Sequence, residues 1–448
     1  MTPSFLSSNY LVISFSYFLL TSLLVIRIVT IRLVFPVAQL KKIVFNEIHT
    51  NKMKSIPIIS FLLVLVFNNS LAQQFPTGVK FKKETITRKG LFGDNWCQTW
   101  AADGNLYTML DDGNGWWGTP EKRFFEEWDG SMCLRIEGDK NFTDKDVSRM
   151  PGWPPNDVTS PLYAYGTVSV DSVIYVWLWK SEPDIWYLRA IANRLLYSPD
   201  FGKTFYRWNG QKETEETFNE IDSASFFFYK EDPHWHIDRD AYAFNWIAFC
   251  QNGKDNSAAK DDYVYMYSPE QHEPRELALI RVHKDHILER SAYEYFKGWN
   301  GEEAEWSKDM KQRGVNLLYP DASEGREWMW LSWLPSVVYN QGLDLYMMVS
   351  YGITDPGKKY WDNWCRKCQY PACVGFWYSK TPYGPWKQFH YEEDFYVDRQ
   401  ENRTYGFKLN PKWISEDGKK MVLIWSDAGD DHTTNYKWNQ MEIEIVTQ

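Results

Sequence analysis

Acidic residues flank one short polar turn symmetrically. Asp94 lies nine residues before Asp103 and Asp112 nine after it, so a hairpin turning at Asp103-Gly104-Asn105 brings Asp94 beside Asp112, with Asp111 as the alternate. Successive strand side chains point to opposite faces, so one of Asp111 and Asp112 faces the cleft with Asp94, and the sequence leaves that choice open. Two carboxyl groups in one cleft are what glycoside hydrolysis needs: one protonates the departing oxygen while the other activates water or attacks the sugar. Asn95, Trp96, Trp116 and Trp117 stand beside these acids, and Tyr351 follows a later strand. Aromatic faces stack on sugar rings, and all five are read as substrate-binding candidates. The structural alternative is that Gly93-Asp94-Asn95 and Asp112-Gly113-Asn114-Gly115 cap turns and that the tryptophans fill a core.

Other constellations are weaker. Glu294 is the first outside candidate for a general acid; the alternative is a surface residue on an outer strand. Asp427 ends a strand near the C-terminus on the face expected for Asp112, and Asp430-Asp431-His432 follows, so this segment would tune a neighbouring carboxyl or hold calcium through oxygen ligands. His234-x-His236-x-Asp238 has the spacing of a strand-borne metal pair, but Pro233 and nearby acids favour a solvated loop. No nucleophile elbow, phosphate loop or HExxH signature occurs, which leaves serine hydrolase, nucleotide and zincin readings without support.

The elements that must position these residues repeat. An apolar or aromatic strand, a polar turn and a second such strand recur five times, with second strands expected at Leu106 to Leu110, Ile174 to Trp179, Tyr263 to Tyr267, Leu345 to Val349 and Met421 to Trp425. The intervals of 68, 89, 82 and 76 residues suit elaborated four-stranded blades and exceed helical solenoid repeats. The strands lack polar alternation, as expected of sheets packed on both faces. These observations predict an all-β, five-bladed β-propeller over residues 73–448, with a two-sheet sandwich as the alternative. Met441 to Val446 is expected to pair with a strand around Val79 to Thr87 and close the ring. Ser198 to Phe205 resembles the Asp-box of sialidases and related propellers, in which Asp and Ser tie a turn and the final aromatic packs between sheets. Ser379 to Trp386 is a degenerate partner.

Gly93-Asp94-Asn95-Trp96, Leu110-Asp111-Asp112-Gly113, Tyr263-Val264-Tyr265, and Arg290 to Phe296 with Gly298-Trp299 and Trp306-Ser307 resemble a family of secreted five-bladed propeller domains that includes bacterial endo-D-arabinanases. The resemblance spans roughly residues 85 to 445. It implies a glycosidase-like propeller in which the first-blade aspartates correspond to catalytic acids; specificity for arabinan is not carried over, since the insertion from Gly210 to Asp240 leaves room for a different cleft.

Trp 24, Tyr 28 and Phe 26 make the chain 17% aromatic, and the formal charge of -10 excludes a protein whose task is gripping phosphate backbones. A carbohydrate partner and a monomer are expected. Met53-Lys54, the apolar run Ile56 to Phe67 and the small-residue end Ser70-Leu71-Ala72 read as a cleavable signal over 53–72, hence a secreted or periplasmic protein without a lasting membrane partner. Residues 1–52, apolar from Tyr10 to Phe35, are read as a non-native extension or a signal anchor. In an exported protein, Cys365, Cys368 and Cys373 suggest a local disulfide, whereas Cys97, Cys133 and Cys250 are isolated.

Overall fold

A computed structural model describes residues 10–16, 30–36 and, from 73 onward, the chain except 116–130, 156–161, 183–184, 221–222, 230–235, 239–240, 243, 245, 271–274, 321–326, 330–334, 356–371, 398–402 and 429–436. The chain divides into units at Met1–Gln73 and Gln74–Gln448. In the first, Tyr10–Ser16 and Thr30–Pro36 pair antiparallel. The signal expected at 53–72 lies outside the described residues, and no helix among those described is long and apolar enough to cross a membrane.

Among its described residues the second unit is all-β apart from the short helix Glu215–Asn219 and single 3-10 turns. Its strands fall into five groups of antiparallel neighbours in chain order, numbered sheets one to five; the third and fourth are joined by a parallel pair, the fifth and first by Lys437–Thr447 against Thr87–Trp100, and the short pair His236–Asp238 and Ala241–Tyr242 is separate. Sheet one contains Thr87–Trp100, Leu106–Gly115, Ser131–Ile136 and Val147–Arg149. Sheet two contains Leu162–Val170, Val173–Glu182, Ile185–Ser198 and Tyr206–Arg207. Sheet three contains Ala248–Gln251, Tyr263–Pro269, Glu276–His283 and Glu294–Asn300. Sheet four contains Ser336–Asn340, Leu345–Asp355, Ala372–Ser379 and Lys387–Phe395. Sheet five contains Arg403–Ile414, Lys420–Ala428, Lys437–Thr447 and the N-terminal Pro76–Phe81. Each second strand expected from the sequence is the second strand of its sheet.

The first strands touch in a closed cycle, one to two, two to three, three to four, four to five and five back to one. Those of sheets three and four pair in parallel through Cys250 with Val337 and Gln251 with Val338. Closure comes from both ends of the chain, because Ile445 pairs with Val79 and Gln440 with Thr87, as the sequence suggested. The edge of sheet five is thereby covered rather than left as a template for association.

Packing on both sides of each sheet explains the missing polar alternation. All nine residues of Leu162–Val170 are buried, and the wholly buried Trp177, Trp179, Trp425 and Trp438 place much of the aromatic content in the core. The Asp-box forms as expected. Asp200 Oδ1 accepts from the Thr204 amide at 2.9 Å, and Ser198 Oγ accepts from the Gly202 amide at 2.8 Å. Phe205 packs edge-on against Trp153, ring centres 5.1 Å apart. Cys97, Cys133, Cys250 and Cys373 are buried free thiols. That corrects the disulfide expectation for Cys373, while Cys365 and Cys368 lie outside the described residues.

Candidate active site

The seam where sheet five meets sheet one builds the site. The start of Thr87–Trp100 pairs with sheet five, through Gln440 with Thr87 and Lys437 with Phe92; its second half pairs with Leu106–Gly115 of sheet one. One strand therefore crosses between sheets at Gly93-Asp94, and the backbone there is unusual: φ is +141° at Gly93 and +59° at Asn95. The hairpin keeps the register counted from its turn from Trp100–Leu106 back to Cys97–Met109. An extra residue between Asp94 and Cys97 then shifts it by one, so Asp94 opposes Asp111 and not Asp112. Asp112 falls in a second irregularity before the Phe92–Gly115 pair, and its side chain is outside the description.

Two glycines permit this crossing. A Cβ on Gly93 would stand 2.9 Å from the Asp111 carbonyl oxygen, and one on Gly113 would stand 2.1 Å from the Phe92 carbonyl oxygen. Gly113→Ala is accordingly expected to cost about 1–3 kcal/mol as the strands are forced apart. It should also lower any activity that depends on the Asp94–Asp111 pairing; a denaturation midpoint and an activity both equal to the parent's would contradict the tight crossing.

Asp94, 6% exposed, accepts a hydrogen bond on Oδ2 from the Tyr405 hydroxyl of sheet five at 2.9 Å. Asp111 is fully buried and accepts on Oδ1 from the Ala164 amide at 3.1 Å, tying the second strand of sheet one to the first strand of sheet two. Asp427 pairs in register with Thr404, next to Tyr405, and accepts on Oδ1 from the Trp425 indole N–H at 3.1 Å. The ring end thus gathers Asp94, Asp111 and Asp427 from sheets five and one.

Other expected site residues stand elsewhere. Trp96 is wholly buried, donates to Ser426 Oγ at 2.9 Å and packs against Trp438, so it fills the core and has no face to offer a sugar. Asn95, 3% exposed, and Tyr351, 1% exposed and packed edge-on against Phe407, are likewise interior. Burial raises the Tyr351 pKa, and the nearby Asp94 charge adds to the rise. Glu294 belongs to the outermost part of sheet three, where Arg281 Nε donates to it at 2.8 Å and Lys308 lies at 3.4 Å; it is not brought to the seam. Trp116, Trp117, His234 and Asp430-Asp431-His432 lie outside the described residues, as do the His236 and Asp238 side chains. No group of three or more potential metal ligands occurs among the described residues, so nothing described supplies the oxygen cage considered for calcium.

Sequence reasoning missed Lys408. It is 4% exposed and lines an axial cavity of about 30 Å³ with Cys97, Gln98, Thr167, Gln251 and Ser336, drawn from all five first strands. That volume is sufficient to hold a water molecule, which needs about 10–15 Å³. Burial lowers the Lys408 pKa, opposed by Cys97 and Asp94. Burial likewise pushes the Cys97 thiol up to about 12, so it is neutral at physiological pH. A single Lys in a strand gave no signal of this placement.

No family model matches the chain, and no curated protein matches it. Among solved structures it is similar to a provisionally assigned hydrolase from Bacteroides ovatus, with a TM-score of 0.47 and 13% identity over 80% of this chain and 87% of that one. It is also similar to the catalytic domain of a Coprinopsis cinerea GH62 α-L-arabinofuranosidase, with a TM-score of 0.41 and 8% identity over 79% and 98%. The native Bacillus subtilis arabinanase gives a TM-score of 0.38 and 10% identity over 80% and 95%. These are distant structural similarities that assign no specific family.

Proposed function

We propose that this chain is an exported five-bladed β-propeller that hydrolyses glycosidic bonds of a poly- or oligosaccharide at the mouth of its ring. The observation that carries this reading is the register pairing of Asp94 with Asp111 at the seam, with the Asp94 carboxylate fixed by the Tyr405 hydroxyl. Asp94 takes the role of general base or nucleophile, and Asp111 or Asp112 assists it. Directly opposed strand residues have Cα atoms about 5 Å apart. That is nearer the separation of about 5–5.5 Å of a retaining pair, one carboxyl the nucleophile and the other the proton donor, than the roughly 6.5–9.5 Å of a pair spanning a water. Should Asp111 not supply the proton, Asp427 is the third carboxyl of the seam.

A second reading, a carbohydrate-binding propeller without catalysis, is favoured by one observation. The Asp111 carboxylate is fully buried on a backbone amide, where it serves to join two sheets. Screening the chain and its Asp94→Asn variant on plant, fungal and bacterial-wall glycans for new reducing ends separates the two. Cleavage by the parent alone supports the hydrolase, and binding by both with cleavage by neither supports the lectin. Equal cleavage by both would remove Asp94 from the chemistry.

A further inference from the structure

The Arg290 to Phe296 motif takes no part in the seam between sheets five and one. It lies at the perimeter of sheet three, where the turn Arg290–Ala292 leads into Glu294–Asn300 and Glu303–Ser307 pairs outside that strand. There Arg290, Ser291 and Tyr295 wall a cavity of about 660 Å³, and sheet two contributes Phe228, which pairs with Asn193 of Ile185–Ser198. That volume far exceeds one inorganic anion and falls in the range of about 300–1,000 Å³ typical of sites for small organic ligands.

The lining divides by burial. Phe228, Tyr295 and Met310 are buried and supply an apolar floor, whereas Arg290 is half-buried and Lys308, Lys311 and Ser291 are exposed. Two of the three cations are held in place: the Arg290 guanidinium lies 5.2 Å from the centre of the Trp208 ring, and Lys308 Nζ donates to the Ala292 carbonyl at 2.7 Å. The carboxylate among these lining residues, Asp309, is spent on the backbone, where its Oδ1 accepts from the Lys311 amide at 3.0 Å and caps the turn Met310–Gln312. Glu294 stands 3.4 Å from Lys308 but accepts from Arg281 Nε at 2.8 Å. Positive charge therefore exceeds negative around this cavity, on a chain whose formal charge is -10. Gathering like charges costs free energy in the empty protein, and an anionic ligand recovers it.

We propose that this cavity is a second saccharide site, separate from the ring mouth, which takes a sugar bearing carboxylate or sulfate ester groups. The C–H face of such a sugar meets the apolar floor, and its anionic substituent meets Arg290 and Lys311 through charge-assisted hydrogen bonds. Ser291 offers a hydroxyl to the ring hydroxyls. The choice of a saccharide rests on the hydrolase reading; the preference for an anion rests on the cavity alone. Exposed charges farther than about 8 Å are largely screened at physiological salt, so the acidic surface elsewhere does not cancel the local surplus.

The experiment is calorimetric titration of the intact chain with tetragalacturonate, a sulfated carrageenan tetrasaccharide and neutral maltotetraose. At least one acidic probe is expected to bind, more weakly as salt rises, and to lose about tenfold or more in affinity in Lys311→Glu and in Arg290→Gln. Binding of the first names a sugar carboxylate and binding of the second a sulfate ester, and either supports the site. Lys311 is exposed, so its variant keeps the test decisive should Arg290→Gln fail to fold. Maltotetraose affinity should be the same in the parent and in Lys311→Glu. Binding of neither acidic probe, or equal affinity in a folded Lys311→Glu, overturns the proposal. So does acidic binding that is lost in Asp94→Asn and kept in Lys311→Glu, which would put the ligand at the ring mouth. Binding that depends on Lys311 with no glycan cleaved would defeat the hydrolase reading alone; cleavage without such binding would defeat this proposal alone.

Discussion

Asp94→Asn is expected to abolish most hydrolysis, lowering kcat/KM by about 10²- to 10⁴-fold, the contribution typical of a positioned proton-transfer group. The substitution keeps the size and shape of the side chain, and the amide oxygen still accepts from the Tyr405 hydroxyl that reaches Asp94 at 2.9 Å. What disappears is the ability to take a proton or attack a carbon. The loss should fall on kcat more than on KM, since a group acting only in the transition state leaves ground-state binding in place. Initial rates on the glycan identified by screening, with a thermal melt as the control for folding, make the measurement. A drop of less than about tenfold in a folded variant would transfer the role to another carboxyl.

Glu213→Gln is expected to destabilise the protein by about 3–5 kcal/mol, the usual cost of breaking a buried ion pair from one side. Arg194, Arg207 and Glu213 are nearly inaccessible. Arg207 Nε donates to Glu213 Oε1 at 2.6 Å, and the Thr217 hydroxyl donates to Oε2 at 2.8 Å. Arg194 Nη1 lies 3.7 Å from the same carboxylate and donates to the Phe218 carbonyl at 2.6 Å. One carboxylate faces two guanidiniums, so its neutral replacement leaves both cations buried without that charge. Denaturant unfolding should show the midpoint falling at nearly constant slope. A change below about 1 kcal/mol would mean that the remaining partners, the backbone carbonyls together with Glu220 at 3.3 Å from Arg207, satisfy the two arginines.

This network lies in the segment from Gly210 to Asp240, which the sequence reading took as an insertion leaving room for a different cleft. In its described part, Glu213 and the helix Glu215–Asn219 lock onto the outer side of sheet two, and Phe228–Tyr229 pairs with Ile185–Ser198. Polar residues that look solvated in a one-dimensional pattern are here the partners of buried arginines, because burial of a charge depends on what lies across from it. Glu294 stands where its alternative reading put it, on an outer strand, and its position gives it to Arg281 and Lys308.

Local physics was legible in the residues themselves. Turn formers between apolar runs fixed the five hairpins, the Ser198 to Phe205 motif carried its own hydrogen bonds, and the strand near the C-terminus found its partner at Val79. Counting outward from Asp103 held as far as Cys97 and Met109 and then failed by one. A ladder count assumes unbroken pairing, whereas a bulge depends on how closely two backbones approach, here at Gly93 and Gly113. Tertiary structure alone chose Asp111 over Asp112 as the partner of Asp94, sent Trp96 into the core and brought Lys408 to the axis. The first outcome is fixed by a bulge where two backbones of one hairpin approach closely, the other two by contacts between sheets whose residues lie hundreds of positions apart, and spacing along one strand carries no information about either.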